Sequence, residues 1–265
     1  MDRIRKLFET VSQDGGSGKL LSAYLMPGFP RADSTAEILK AIEEAGVDFV
    51  ELGIPFSDPL ADGPVIQAAA HVAIENGMSP LKIIRFVETY RQVSDLPIIL
   101  MGYMNSFMNG IGADFPEKLK SAGIDGVIIP DLPLEECGSV KENIEGAGLS
   151  FVLLAAPTST DDRIKKISEA STDFIYCVSV TGVTGARKNL VSNEVTGFLK
   201  RVRKSSRKPF VVGFGISTPE TAREISEYSD GIVVGSALLQ QISSAEHGED
   251  AAFEFLKSLR TAIDG

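Results

Sequence analysis

Carboxylates and glycines carry the chemical possibilities of this chain. Three acids stand in Glu51-Leu52-Gly53-Ile54-Pro55-Phe56-Ser57-Asp58-Pro59-Leu60-Ala61-Asp62-Gly63-Pro64, where three prolines and two glycines impose a defined, non-helical path. Glu51 shares the parity of Val47 and Phe49, so strand alternation puts its carboxyl on an apolar face. Burial there raises a carboxyl pKa, and a carboxyl poised between acid and base suits proton transfer. Pairing with a strand-end donor is the competing reading. Asp58 before proline and Asp62 before glycine are also ordinary turn residues. Asp62 is far enough along the loop to reach back over a site, whereas Asp58 is placed to face outwards.

A second chemistry is written near the end of the chain. Val212-Gly213-Phe214-Gly215-Ile216-Ser217 and Val234-Gly235-Ser236-Ala237-Leu238 each lead from an apolar run through glycine into a helix. Glycine lets backbone N–H groups approach an oxyanion, and a helix N-terminus favours negative charge, so the pair suits a phosphate. Simple turn chemistry explains either motif alone. The hydroxyl-rich stretch Ser179–Lys188 reads as a closing lid or as a surface loop. His71 and His247 are the only histidines, which leaves neither a His-based triad nor a His-rich metal site. No lysine ends a predicted strand, and GxGxxG and Walker A motifs are absent. Carboxylate acid–base chemistry on a small phosphorylated molecule remains.

Such residues need a scaffold, and the sequence has the rhythm of a parallel sheet. Branched apolar runs at Leu20–Met26, Val47–Leu52, Pro97–Met101, Gly126–Ile129, Phe151–Ala155, Phe174–Ser179, Phe210–Phe214 and Gly231–Gly235 predict eight strands. Helical spacing falls between them at Ser34–Ala45, Pro80–Val93, Pro116–Ala122, Leu134–Gly146, Asp161–Ala170, Ser192–Lys204, Pro219–Tyr228 and Ala251–Ile263. A closed (β/α)8 TIM barrel follows, with an extra helix over Asp2–Val11 set to close its bottom. Residues 1–265 form one domain in this reading, since no linker or composition shift divides them. Ala45-Gly46-Val47-Asp48, Ala122-Gly123-Ile124-Asp125 and Ala147-Gly148-Leu149-Ser150 repeat a glycine where a left-handed helix end is expected. An open doubly wound sheet is the structural rival, and it needs no pairing of the first and last strands.

Composition narrows the partners. The 265 residues carry a net charge of −10, which disfavours nucleic acid and requires local donors for any anionic ligand. Cys137 and Cys177 form no CxxC pair, which points to a reducing, cytoplasmic compartment. The opening Met1-Asp2-Arg3-Ile4-Arg5-Lys6 is not a signal peptide, and no apolar run approaches a membrane span, so neither secretion nor membrane insertion is expected.

The Glu51–Pro64 motif, continued through Val65-Ile66-Gln67, closely resembles the signature of the tryptophan synthase alpha subunit family. Pro130-Asp131-Leu132-Pro133, Thr181-Gly182-Val183-Thr184-Gly185, Gly213-Phe214-Gly215-Ile216-Ser217 and Gly235-Ser236 follow in the family's order along essentially the whole chain. The resemblance implies a (β/α)8 lyase that cleaves indole-3-glycerol phosphate to indole and glyceraldehyde 3-phosphate, with no metal or cofactor of its own. It implies Glu51 as the acid–base carboxyl and Asp62 as the carboxylate at the indole nitrogen. Tyr176 would lie near Glu51, Thr184 would orient Asp62, and Gly185, Gly215, Gly235 and Ser236 would surround the phosphate. Tyr24, Met101 and Phe214 match apolar or aromatic wall positions, while Gly102 is smaller than the residue expected there. A pyridoxal-phosphate beta subunit is the implied partner in an alpha2-beta2 heterotetramer, touching Asp58 and Pro59. Two alternatives stay open: an isomerase of a related phosphorylated substrate, which has no need of Asp62, and a non-catalytic regulatory subunit, against which the presence of both carboxylates argues.

Overall fold

The branched runs become parallel strands and the amphipathic stretches become helices in a computed structural model that describes residues 3–13, 18–178 and 192–265. The order is α1 (Arg3–Gln13), β1 (Leu20–Leu25), α2 (Thr35–Glu44), β2 (Phe49–Gly53), α3 (Pro64–Glu75), α4 (Pro80–Tyr90), β3 (Ile98–Met101), α5 (Met104–Met108), α6 (Phe115–Ser121), β4 (Gly126–Ile128) and α7 (Gly138–Gly146). It continues with β5 (Ser150–Val152), β6 (Leu154–Ala155), α8 (Asp161–Ala170), β7 (Ile175–Cys177), α9 (Asn193–Ser205), β8 (Phe210–Val212), α10 (Pro219–Ser226), β9 (Gly231–Val234), α11 (Ser236–Ser244) and α12 (Gly248–Asp264).

The sheet closes. β1 pairs in parallel with both β2 and β9, so the first and last strands meet, which an open sheet does not require. The fifth predicted strand is split: β5 pairs with β4, β6 pairs with β7, and Leu153 between them accepts the Tyr176 N–H at 3.1 Å. One stretch of chain therefore completes the ring. No helix among the described residues is long and apolar enough to cross a membrane.

Alternation sorts the side chains into two layers. Leu21, Ala23, Leu25, Val50 and Leu52 face the surrounding helices, while Leu20, Phe49, Ile99, Val152, Phe174, Val211 and Val233 fill the barrel. Glu51 follows Phe49 inward, as its parity predicts. Val47 does not share that face; it precedes the strand and packs in the outer layer. Beneath the lumen, Ile4, Phe8 and Val11 of α1 form the floor, with the Phe8 ring stacked on Phe174 at 4.3 Å. The extra helix does close the bottom.

The glycine repeat has a partner that periodicity alone does not reveal. Gly46, Gly123 and Gly148 all take positive φ, ending α2, α6 and α7 in the left-handed conformation. The aspartates that follow or mirror them lock neighbouring strands: Asp48 accepts the Leu21 N–H at 2.7 Å, Asp125 the Ile98 N–H at 2.9 Å, and Asp230 the Phe210 N–H at 2.9 Å. Each is neutralised by an arginine, Arg260, Arg91 and Arg203 respectively. Asp125 is buried and Arg91 half-buried, and Arg3 brings α1 to the same carboxylate. Asp125→Ala is expected to destabilise the chain by about 2–3 kcal/mol, because it removes the acceptor of the Ile98 N–H and the counter-charge of a half-buried Arg91, which keeps its bonds to the Gly123, Ser94 and Leu96 carbonyls. Urea unfolding measures this; a loss below about 1 kcal/mol would show that the pair is not what ties α1 and β3 together.

Two helices exceed the sequence expectation: α3 begins immediately after the second loop, with Pro64 in its first turn, and α5 follows β3. Proline and glycine read there as loop punctuation, yet proline also suits the first helical turn. α11, which starts at Ser236 behind Gly235, is the helix into which the second glycine motif is expected to lead.

Candidate active site

Glu51 lies at the centre of β2, wholly buried, with Tyr24 of β1 directly opposite it. Neither carboxyl oxygen makes a hydrogen bond among the described residues. Burial pushes its pKa up to about 8. The Tyr176 hydroxyl lies near enough to work against that rise, but not in the geometry of a hydrogen bond.

Two tyrosine–glycine pairs frame this carboxyl. Tyr24 leans along the strand direction so that a Cβ on Gly53 would come within 2.1 Å of its hydroxyl. Tyr176 pairs with Val211 and stands over Gly213 in the same way, at 2.0 Å. In each case the glycine is two residues beyond the tyrosine's partner, so both phenols lean toward the C-terminal mouth of the barrel. Gly213 therefore makes room for Tyr176 rather than forming a turn; Gly215, at φ +71°, is the left-handed residue of that loop. Burial raises both phenols well above their ordinary pKa, with Asp62 and Glu51 adding to it at Tyr24 and Glu51 at Tyr176.

The second loop brings Asp62 to the same mouth. Burial raises its carboxyl to about 6, and a hydrogen bond from Tyr103 works against the rise. The Tyr103 hydroxyl donates to Asp62 Oδ2 at 3.1 Å. Gln67 of α3 holds the backbone by donating to the Asp62 carbonyl at 2.8 Å. Asp58 stays outside, exposed and bonded to the Ser57 hydroxyl at 2.6 Å, and Leu60 beside Pro59 is 93% exposed. The two aspartates thus part as the loop length suggests. Tyr103 was not distinguished by its sequence context; the signal was an aromatic two residues after Met101 at the end of a predicted strand.

The two glycine turns differ in what they offer an anion. α10 is capped by its own side chains, since Thr218 accepts the Thr221 N–H and Thr221 reaches back. α11 starts at Ser236 behind Gly235, which provides no side-chain cap, so its first N–H groups remain available. Gly235 packs beside Tyr24, which links this helix start to the carboxyl region. Met101 and Phe214 are partly buried against the core at the ends of β3 and β8. Gly102 is small because a Cβ would lie 2.9 Å from that of Ile54. Thr184, Gly185, Arg187 and Lys188 lie outside the described residues. At the opposite end of the barrel a cavity of about 430 Å³ is lined by Lys19, Asp48, Arg260 and Asp264, whose charged groups already bond to one another or to backbone.

A family model described as tryptophan synthase alpha chain matches residues 11–263. The chain belongs to this family. It is 44% identical over 246 residues to the tryptophan synthase alpha chain of Dehalococcoides mccartyi, covering 93% of this chain and 96% of that one. The alpha chain of a Thermoanaerobacter species is 43% identical over 267 residues, covering 99% and 100%. Among solved structures, the alpha subunit from Legionella pneumophila superposes with a TM-score of 0.91 at 34% identity, over 100% of this chain and 99% of that one. A chain from the tryptophan synthase alpha2-beta2 complex of Pyrococcus furiosus gives 0.85 at 34% identity, over 91% and 97%. These tryptophan synthase alpha relatives are barrels, and this chain is a carbon–carbon lyase of tryptophan biosynthesis that cleaves indole-3-glycerol phosphate to indole and glyceraldehyde 3-phosphate.

Proposed function

We propose that Glu51 and Asp62 perform this cleavage, Glu51 as acid and then base, Asp62 as the counter-charge. The observation that carries the reading is the difference between two carboxyls at one mouth, one raised to about 8 and the other to about 6. At neutral pH Glu51 holds its proton while Asp62 is ionised, the distribution the reaction needs. Glu51 gives its proton to indole C3, and the ring becomes an indoleninium cation that Asp62 stabilises at the nitrogen. The C3–side-chain bond then breaks, and its electrons neutralise the ring. The adjacent hydroxyl becomes the aldehyde by losing its proton to Glu51, which restores the starting acid. Every proton and electron pair is accounted for without a metal or organic cofactor on this chain.

Tyr24, Tyr176, Met101 and Phe214 wall the indole in this proposal. The α11 start, with Gly235 and Ser236, takes the phosphate together with Gly215. Thr184 and Gly185 join the site on the family resemblance alone. Asp58, Pro59 and the exposed Leu60 form a surface for a beta subunit, which would carry pyridoxal phosphate and complete an alpha2-beta2 assembly of the kind described for the Pyrococcus furiosus relative. Two buried free thiols, Cys137 and Cys177, support a reducing cytoplasmic setting. The pairing of β1 with β9 supports one domain.

Indole release from indole-3-glycerol phosphate, with and without a beta subunit, tests the activity; a folded chain that releases none in either case overturns it. Gly235→Val tests the phosphate placement. A Cβ there meets Tyr24 only at an ordinary 3.4 Å, but the φ/ψ pair of −122°/−84° lies outside the regular helical and extended regions, so thermal unfolding must first show that the variant is folded. Affinity for both substrate and inorganic phosphate should fall at least about tenfold in calorimetric titrations. Unchanged phosphate binding would move the site elsewhere.

A further inference from the structure

Asp62 sits on a loop, where a carboxylate has no sheet register to orient it. Among the described residues, Tyr103 is the side chain that hydrogen-bonds to its carboxyl. Tyr103 is itself fixed from several directions. It is the N-cap of α5, it is buried, and its ring lies 5.2 Å from that of Phe56 at the root of the same loop. The next residue, Met104, donates its N–H to Asp131 at 2.8 Å, which ties the turn to the loop after β4.

The hydroxyl bridges the far end of the loop. Ala61 donates its N–H to Tyr103 Oη at 2.9 Å, and Oη donates to Asp62 Oδ2. With an amide proton on its acceptor side, the phenol directs its single proton at the carboxylate.

We propose that Tyr103 is a positioning residue for Asp62, its hydroxyl aiming the carboxylate into the barrel mouth. This rests on the assignment of Asp62 made above. The titratable groups that face Asp62 are Tyr24 on β1, Tyr176 on β7 and Tyr103; Tyr24 and Tyr176 also face Glu51, and Tyr103 also faces Asp131. A donor bonded to the charged form lowers a carboxyl pKa, and burial otherwise raises this one.

Tyr103→Phe keeps the ring against Phe56 and removes the donor. The Asp62 carboxyl, followed by carbon-13 NMR in aspartate-labelled protein and assigned through Asp62→Asn, should titrate about one pH unit higher than in the parent. The acid limb of kcat/KM on indole-3-glycerol phosphate should move by the same amount, with kcat reduced more than KM is raised. Placing 3-fluorotyrosine at position 103, a stronger donor of nearly the same shape, should shift the carboxyl titration the opposite way and covers the case in which Tyr103→Phe fails to fold. An Asp62 titration that stays at the parent midpoint in the folded variants overturns the proposal. Because that titration needs no turnover, a parent chain that releases no indole would instead overturn the proposed function, and the two failures remain distinct.

Discussion

Glu51→Gln is expected to fold normally and to lose roughly 100- to 10,000-fold of its indole release. The amide matches the carboxyl in shape but cannot give a proton to indole C3 or take one from the side-chain hydroxyl. The same variant should gain stability at alkaline pH. In the folded chain Glu51 titrates at about 8 against an ordinary 4.5, so the native state holds a proton that the unfolded chain has released. Stability from this group is therefore fully present below about 4.5 and is lost as pH rises through about 8. Glutamine removes that dependence. Urea midpoints for parent and variant should converge near pH 4.5 and separate in favour of the variant by pH 9. Near-normal turnover, or parallel stability curves across this window, would remove Glu51 from the role assigned to it.

Asp62→Asn is expected to reduce cleavage by a comparable factor, since a neutral amide stabilises an indoleninium cation far less than a carboxylate does. Tyr103 can bond to the asparagine oxygen, so the loop should keep its path and the loss should fall on kcat. Asp58→Asn makes the contrast. Its side chain is exposed and bonds only to Ser57 among the described residues, so the isolated chain should retain its activity while stimulation by a beta subunit declines. Steady-state assays with and without that subunit separate the two. If Asp58→Asn silenced the isolated chain and Asp62→Asn did not, the roles of the two aspartates would be exchanged.

Much of the scaffold could be read locally because the physics is local. Branched apolar runs with period two specify strands, and Ser79-Pro80 and Thr218-Pro219 announce helices that begin at those residues. Where two readings compete for the same residues, the sequence misleads: Pro64 closes a proline-rich loop and equally opens α3, and only packing against the barrel selects the helix. The fifth strand read as one run because nothing local marks Leu153 as the point where pairing passes from β4 to β7.

The site divides in the same way. Alternation put Glu51 on the same face as Phe49, closure of the sheet made that face the barrel interior, and the loop signature with the motifs that follow it along the chain pointed to the family. Tertiary structure decided that β1 meets β9, that Gly53 and Gly213 exist to admit two phenols, that α10 is self-capped while α11 is open, and that Tyr103 reaches Asp62 across 41 positions of sequence. It also decided the protonation of the two carboxyls. A pKa depends on the solvent removed and the dipoles gathered around a group by distant segments, and no spacing along the chain encodes that environment.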